Sequence, residues 1–223
     1  SLGAKAIVND TVHSYGAITL HAIISDRFAR KAVEKGADGL IAVAAGAGGH
    51  AGTTSPFALV QEIREWFDGP LLLSGSIATG DGILAAQAMG ADLAYMGSAF
   101  IATTEANAVE AYKQAIVDYS SADIVNSNLF TGVHGNYLRP SIVAAGLDPD
   151  NLPDGDISSM NFGSGGDTSA KAWKDIWGCG QGIGAVKAVV PVAERVAQLR
   201  TELGAAYRRL AAIESLKRLD GLG

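Results

Sequence analysis

The chain has 223 residues, of which 48% are hydrophobic, and its formal net charge is −6. A chain of this length and hydrophobic content can bury a core of its own, so disordered and fibrous classes are excluded and one domain is expected. The acidic balance argues against a nucleic-acid partner, because no basic stripe is available to neutralise phosphates. The composition therefore favours small-molecule chemistry.

The cysteine and histidine content limits the other classes. The single cysteine, Cys179, excludes a disulfide framework within the chain and a cysteine-based metal cluster. The four histidines show no metal-ligand spacing, so we expect no metal. The sequence contains neither an apolar run of bilayer length nor a signal-peptide pattern, which predicts a cytoplasmic protein without a membrane partner. It also opens without an initiator methionine, and we expect further chain before Ser1.

The first elements alternate between helix and strand. Residues 4–15 have helical spacing, and residues 17–24 form an apolar run rich in branched side chains, which predicts a buried strand. Ser25 is an N-cap signal for a helix that runs to Lys35. The next apolar run, residues 40–45, predicts a second strand.

The alternation continues for two more units. Pro56 begins a helix that the turn residues 68–70 end, and residues 71–74 form a third strand. A helix over 82–89 and a strand over 93–96 follow. Regular alternation of this kind predicts right-handed βαβ units, and therefore an α/β fold with a parallel sheet.

Beyond residue 102 the alternation ends. A helix over 105–120 is expected, and residues 123–171 are rich in Gly, Asn, Asp, Ser and Pro, with a short helical piece over 140–145. An irregular stretch of this length is typical of a functional loop or lid. We divide the single domain, residues 1–223, into βα units (1–104), an irregular lid-like region (105–190) and a C-terminal helix (191–220).

A glycine-rich loop follows the second strand of this series. The segment Gly46-Ala47-Gly48-Gly49-His50-Ala51-Gly52 lies at the carboxyl end of that strand, where α/β enzymes carry their chemistry. His50 is the residue of this loop that can exchange a proton near neutral pH. The alternative interpretation is a glycine turn with an incidental surface histidine.

Two later strand ends resemble each other. Ser74-Gly75-Ser76 and Met96-Gly97-Ser98 are separated by one helix, and small residues there leave backbone N–H groups and hydroxyls available to a phosphate. Adjacent strands of a TIM barrel build a phosphate site in this way, and a flavin mononucleotide (FMN) would fit it with its ring toward His50. Each pattern taken alone is also consistent with an ordinary turn.

Four motifs together resemble the nitronate monooxygenase family, formerly called 2-nitropropane dioxygenases. The motifs are Gly48-Gly49-His50-Ala51-Gly52, Ser74-Gly75-Ser76-Ile77-Ala78, Met96-Gly97-Ser98-Ala99-Phe100-Ile101-Ala102-Thr103 and Trp177-Gly178-Cys179-Gly180-Gln181-Gly182. The resemblance implies an FMN-dependent (β/α)8 TIM barrel. It also implies that the four predicted strands are the last four of eight, with the others before Ser1.

The resemblance assigns roles to individual residues. It makes His50 a general base at the substrate carbon or a polar contact beside the flavin, and it makes Cys179 a small packing residue. The cofactor-binding positions that it implies are Gly48 and Gly49 near the ring, Gly75, Ser76, Tyr95, Met96, Gly97 and Ser98 at the phosphate, and Gln181 near the ring. This chain departs from the family at Ala47 or its small neighbours, where many members carry an acidic residue, and at Ser76, where they carry a second glycine. Cys179 also replaces the alanine that is usual in the family.

The activity implied is oxidation of a nitronate, or of a nitroalkane deprotonated by His50. The substrate gives an electron to FMN, and O2 completes the oxidation to a carbonyl compound and nitrite. Two alternatives stay open. One is an NAD(P)H-dependent reductase of enoyl thioesters or quinones on the same skeleton; the other is an inactive half-barrel that pairs through its open sheet edges, for example as a homodimer.

The sequence gives less support for a role of other residues in the site. His21 and His134 are candidate substrate contacts, although a buried structural histidine is an equally good interpretation of His21. His13 lies in a predicted helix and is expected to be exposed. Trp173 and Trp177 could form a wall of the flavin site or pack a helix.

Overall fold

The computed structural model describes residues 4–155 and 175–213 and confirms the α/β class. The helices are α1 (Ala6–His13), α2 (Asp26–Glu34), α3 (Pro56–Arg64), α4 (Gly80–Ala88), α5 (Ser98–Ile101), α6 (Glu110–Asp118), α7 (Arg139–Ala144) and α8 (Val192–Ala211). The strands are β1 (Leu20–Ile23), β2 (Gly39–Val43), β3 (Gly49–His50), β4 (Leu71–Ser74), β5 (Leu93–Tyr95), β6 (Ile124–Ser127) and β7 (Gly135–Leu138). Two short 3-10 helices cover Ser121–Asp123 and Gln181–Ala185.

A four-stranded parallel sheet with the order β1-β2-β4-β5 carries the site. Its strands are neighbours in chain order and alternate with helices, which is the arrangement of part of a (β/α)8 barrel. Leu40, Leu71 and Leu73 project from one face into a core that includes Leu59 and Ile63 of α3. Because all four strands are parallel, their carboxyl ends lie at the same edge of the sheet.

The edge strands differ from the predicted buried strands. Leu20 on β1 is exposed, although the sequence pattern predicts a buried strand there, and Leu93 and Tyr95 on β5 are exposed as well. Both strands have a neighbour on one side only within the described sheet, and their outer flanks are uncovered. The exposed side chains lie on the face of the sheet opposite α3, because Leu93 and Tyr95 are in register with Leu72 and Ser74 rather than with Leu71 and Leu73.

Capping explains the predicted helix boundaries. The Ser25 hydroxyl accepts from the backbone N–H of Phe28 and begins α2, as the sequence predicts. Thr79 caps α4 in the same way, so that this helix begins at Gly80 rather than at residue 82.

Gly80 also contacts α8, where an added Cβ would lie 2.0 Å from the backbone nitrogen of Leu203. A side chain at this position would push the two helices apart.

A second, antiparallel sheet is the main difference from the expected irregular region. Its order is β3-β7-β6, and it pairs His50 with Gly135 and Ser127 with the same glycine. The strands are two to four residues long and contain Gly, Asn and Ser, which is why no strand pattern is visible in the sequence. His50 therefore lies in a strand rather than in an open loop.

The remaining helices also differ from the expected bounds. The helix predicted over 105–120 begins at Glu110, and α8 ends at Ala211. Part of the predicted lid, residues 156–174, and the last residues, 214–223, lie outside the described residues, as does Trp173. In the part of the chain that the structure describes, none of the helices combines the length and apolar character needed to cross a membrane.

Candidate functional site

A cavity of about 320 Å3 opens at the carboxyl ends of β2, β4 and β5. Its wall comes from residues within four segments, 46–49, 74–78, 95–98 and 177–182, together with Ile101 and Tyr112. The predicted site residues that line it are Gly48, Gly49, Gly75, Ser76, Tyr95, Gly97 and Ser98. The fold therefore brings the four motifs to one place, although they are spread over more than 130 residues of sequence.

Two predicted cofactor residues, Met96 and Gln181, are outside the cavity lining. Met96 packs against the core cluster that contains Ala99 and Ile183. Gln181 donates its backbone N–H to the carbonyl of Gly46 at 2.9 Å. These contacts shape the cavity indirectly, and the lining does not include either residue.

The glycine loop and the late motif pack backbone against backbone. A Cβ added at Gly48 would lie 2.8 Å from the backbone nitrogen of Gly180 and 2.9 Å from the carbonyl carbon of Cys179. The same nitrogen of Gly180 donates to the hydroxyl of Ser98 at 2.9 Å. Ser98 thus connects the strand end after β5 to the late motif, and the approach leaves no room for a side chain at Gly48.

Ser76 has an unusual backbone conformation at the cavity wall. Its φ is +57°, in the left-handed region that favours glycine, and its N–H donates to the carbonyl of Gly46 at 3.3 Å. A non-glycine residue in this region costs free energy, and such residues concentrate at ligand sites. The conformation places the Ser76 backbone and hydroxyl at the cavity beside Gly75.

Gly97 leaves open space at the adjacent strand end, after β5. A Cβ added there would meet no heavy atom of the described residues within 4 Å. Because Gly97 lines the cavity, the absence of a side chain widens the space next to Ser98. The wall at 75–76 and 97–98 is therefore made of backbone and small hydroxyl groups, as the sequence predicts.

An aromatic pair forms another part of the wall. Tyr112 and Trp177 stack with ring centroids 5.0 Å apart and planes 12° from parallel. The Tyr112 hydroxyl donates to the carbonyl of Gly178, and burial raises the pKa of this tyrosine far above its ordinary value. Trp177 is one of the two tryptophans considered from the sequence, whereas Tyr112 was missed because no local pattern connects it with residue 177.

Cys179 is a packing residue in this structure, as the resemblance implies. Its side chain is fully buried, and burial raises the pKa of the thiol to about 12. A thiol with this pKa contains almost no nucleophilic thiolate near neutral pH. Cys179 therefore supports the wall formed by Gly178 and Gly180.

Asn136 is a site residue that the sequence analysis missed. Its buried side-chain amide donates to the carbonyl of Ala47 at 2.7 Å, and its backbone carbonyl accepts from the N–H of Cys179 at 3.1 Å. Asn126 supports it by donating to its side-chain oxygen at 3.0 Å. Asn136 therefore links the glycine loop to the late motif, and in the sequence it is one of several asparagines in a polar stretch.

His50 lies directly beside the cavity wall. Its neighbour Gly49 lines the cavity, while the imidazole is half-buried and its Nε2 atom lies 2.8 Å from the hydroxyl oxygen of Thr131. Burial lowers the pKa of His50 from its ordinary value, because removing the imidazolium from water is unfavourable. The ring is therefore neutral over a wider pH range than an exposed histidine.

The cavity lining includes none of the four histidines, so the predicted catalytic residue His50 lies next to the lining rather than in it. His21 is in register with Leu40, so its side chain lies on the helix side of the sheet. His134 is exposed and bonds through Nδ1 to the side-chain oxygen of Asn126 at 2.9 Å, and His13 is exposed in an ion pair with Asp38. Within residues 4–155 and 175–213, no cluster of three or more His, Cys, Asp or Glu could hold a metal ion.

The family model and the curated relative that match this chain have the same description. A family model described as nitronate monooxygenase matches residues 3–146. A nitronate monooxygenase of Paraburkholderia phytofirmans is 30% identical in an alignment 190 positions long, which covers 78% of this chain and 51% of that protein. This chain therefore spans about half the length of that curated relative.

Two solved structures have the same fold. A nitroalkane oxidase from Streptomyces ansochromogenes matches 93% of this chain and 64% of its own, with a TM-score of 0.76 and 26% identity. FabK from Thermotoga maritima matches 94% of this chain and 68% of its own, with a TM-score of 0.73 and 23% identity. The second likeness supports the fold only.

Proposed function

The chain belongs to the nitronate monooxygenase family, and from this premise we propose that it acts in the flavin-dependent oxidation of nitroalkanes and alkyl nitronates by O2. The products are a carbonyl compound and nitrite. The observation that carries the proposal is the convergence of the four family motifs on one cavity at the strand ends. The names of the bacterial nitronate monooxygenase and the nitroalkane oxidase support the same substrate class.

The cavity fits FMN as its cofactor. Two adjacent strand ends, 75–76 and 97–98, supply small hydroxyl and backbone groups, as in the phosphate site of TIM barrels. The open space at Gly97 leaves room for a phosphate, and the glycines at 46–49 let a flat ring approach the backbone. When bound, FMN supplies the electron acceptor for the oxidation.

His50 acts as the general base for a nitroalkane substrate. It is half-buried beside the glycines of the wall, and its lowered pKa keeps the imidazole neutral and able to accept a proton. A nitroalkane must lose a proton from the carbon next to the nitro group before oxidation. A nitronate has already lost that proton, so it needs no base.

This difference gives a direct test. In His50→Gln, kcat/KM for a nitroalkane should fall about 10²- to 10⁴-fold, the usual contribution of a general base, while kcat/KM for the matching nitronate should stay close to wild type. His13→Gln, which changes an exposed histidine remote from the cavity, should leave both values unchanged. An equal loss for both substrates in His50→Gln would contradict the base role and favour a polar contact with the ligand.

Several expectations from the sequence stay predictions. Use of NAD(P)H by the alternative reductase, a homodimer and a cytoplasmic location all belong to this group. The substrate contacts assigned to His21 and His134 also stay predictions, and the positions of these residues outside the cavity lining give them no support.

A further inference from the structure

The side chain of Asn136 holds one peptide group of the cavity wall from outside the lining. Asn136 lies on β7 and is buried, and its Nδ2 atom donates to the backbone carbonyl of Ala47 at 2.7 Å. Ala47 and Gly48 both line the cavity, and Asn136 does not. The contact joins residues 89 positions apart in the sequence, so it forms only when the glycine loop and β7 come together in the fold.

The partners of Asn136 decide which end of its amide faces Ala47. A carbonyl oxygen only accepts hydrogen bonds, so the atom that faces it must be the amide nitrogen. The amide oxygen accepts from the side-chain Nδ2 atom of Asn126 at 3.0 Å. The reverse orientation would place two oxygen atoms 2.7 Å apart without a hydrogen between them. The bond to Ala47 therefore has one possible donor.

This bond also sets the direction of the next N–H group. The described residues contain no cis peptide bond, and in a trans peptide the C=O and the N–H point in opposite directions. Holding the Ala47 carbonyl toward β7 therefore turns the N–H of Gly48 away from β7. Gly48 is exposed at the cavity, whereas Gly46, Ala47 and Gly49 are buried.

Neighbouring backbone groups of the loop are already paired within the protein. The carbonyl of Gly46 accepts from two backbone N–H groups, and the N–H of Ala47 donates to the carbonyl of Ala44 at 3.3 Å. For the N–H of Gly48, by contrast, residues 4–155 and 175–213 provide no acceptor. A backbone donor in this position at the cavity is available to a ligand.

We propose that Asn136 is a positioning residue that keeps the Gly48 N–H directed at the ligand, where it donates to an acceptor atom of the flavin ring. The oxygen and nitrogen atoms of the ring are suitable acceptors, and the glycines beside residue 48 let the ring come close to the backbone. Asn136 itself does not touch the ligand and acts through one peptide group. The identity of the ligand, FMN, rests on the proposed function.

Amide hydrogen exchange measures the donor directly. The Gly48 amide is followed by NMR in 15N-labelled protein before and after saturation with FMN. In the free protein this amide should exchange rapidly, and with FMN its exchange should slow about tenfold, as expected for one new hydrogen bond. The Cys179 N–H, which donates to the backbone carbonyl of Asn136 at 3.1 Å, is the internal reference and should be protected in both states.

Asn136→Leu replaces the amide by an apolar group of similar size, so the peptide is no longer held. We expect the Kd for FMN to rise about five- to tenfold, roughly one hydrogen bond, and the Gly48 amide to lose its protection by FMN. Asn9→Leu is the matched control, because Asn9 is equally buried and donates to the Lys35 carbonyl at 2.7 Å, outside the cavity lining. It should keep the wild-type Kd, so a loss of stability alone cannot account for a change confined to Asn136→Leu.

Two results would overturn the proposal: unchanged Gly48 exchange when the wild type binds FMN, and an equal Kd for Asn136→Leu and the wild type. If Asn136→Leu does not fold, Asn136→Asp tests the same bond at about pH 8, far above the ordinary aspartate pKa of about 3.9. The ionised carboxylate keeps the shape and accepts from Asn126, but it cannot donate to Ala47, so the Kd should rise in the same way.

The proposed function can fail separately. A wild type that binds FMN with Gly48 protected, but oxidises neither a nitroalkane nor a nitronate, would contradict the proposed function and leave the role of Asn136 intact. A wild type that oxidises a nitronate while the Gly48 amide stays unprotected would contradict the role of Asn136 only. A wild type that does not bind FMN would overturn both.

Discussion

At Gly97 the absence of one carbon atom defines part of the cavity. An added Cβ would meet none of the described atoms within 4 Å, so Gly97→Ala should fold normally and place a methyl group in the space next to Ser98. We expect the dissociation constant for FMN to rise about 10- to 100-fold, the equivalent of roughly 1 to 3 kcal/mol of steric overlap. A fluorescence titration with FMN measures this change.

Gly204→Ala is a suitable control for that titration. Gly204 lies within α8, outside the cavity lining, and an added Cβ there would make only an ordinary contact at 3.5 Å with the Arg208 side chain. Its FMN affinity should equal that of the wild type, and α8 should gain a little stability. Equal FMN affinity for Gly97→Ala and the wild type would show that the phosphate does not lie beside residue 97.

His50 leads to a prediction about pH. Burial lowers the pKa of His50, so the neutral base persists to lower pH than the ordinary value of about 6.5. The profile of kcat/KM against pH for a nitroalkane should therefore fall only below about pH 6.5, and the nitronate profile should lack this limb. Since unfolded His50 binds a proton more readily, its burial also lowers stability as the pH falls through the same range. A nitroalkane limb centred above pH 6.5 would contradict the burial argument.

Among the elements, α3 is tied to the strands at the edge opposite the cavity. The Arg64 side chain donates to the carbonyls of Phe67, Gly69 and Gly90, and it forms an ion pair with Asp92 at 2.7 Å. Asp92 also accepts from the backbone N–H of Leu71, and these contacts lower its pKa, the hydrogen bond from Leu71 most. Residues at the amino ends of barrel strands serve stability rather than chemistry.

This arrangement predicts a change in stability without a change in the site. Arg64→Ala should lower the free energy of unfolding by about 2 to 3 kcal/mol, because it leaves several carbonyl groups and a carboxylate without their donor. Arg139→Ala removes an ion pair whose partner, Asp150, is exposed, and should cost less than about 1 kcal/mol. Urea denaturation of both variants compares the two losses. Equal losses would contradict the structural role assigned to Arg64.

The parallel βα units could be predicted from the sequence because their signals are local. The Ser25 cap, Pro56 at the start of α3 and the apolar run 71–74 each act within one turn or one strand. The antiparallel sheet could not be predicted, because β3 is two residues long and its partner β7 is polar and distant in the sequence. Elements of this kind are stabilised by tertiary contacts rather than by intrinsic preference.

The site, like the fold, could be predicted only where its residues follow local sequence signals. Its glycines and serines follow strands that the sequence reveals, so their meeting at one edge could be expected from a parallel sheet. Tyr112, Thr131 and Asn136 reach the site through long-range contacts: a stacked ring, one hydrogen bond to His50 and one to Ala47. No spacing in the sequence encodes those contacts.

On the scale of the whole molecule, the cavity lies where the two sheets approach each other. The parallel sheet supplies the strand ends at 74–78 and 95–98, and β3 of the antiparallel sheet carries Gly49 and His50. The buried amide of Asn136 holds the two parts together through Ala47. Under the proposed function, the phosphate-binding strand ends belong to the parallel sheet and the proposed base, His50, belongs to the antiparallel sheet.

The most direct test of this account is the visible absorption spectrum of the chain, purified and supplied with FMN, recorded without oxygen before and after addition of an alkyl nitronate. We expect flavin bands that remain with the protein after removal of free FMN and that bleach when the nitronate is added. No retained flavin would contradict the assignment of the cavity. Retained bands that do not respond to a nitronate, but bleach with NADH or NADPH, would contradict the oxidation of nitronates and favour the reductase.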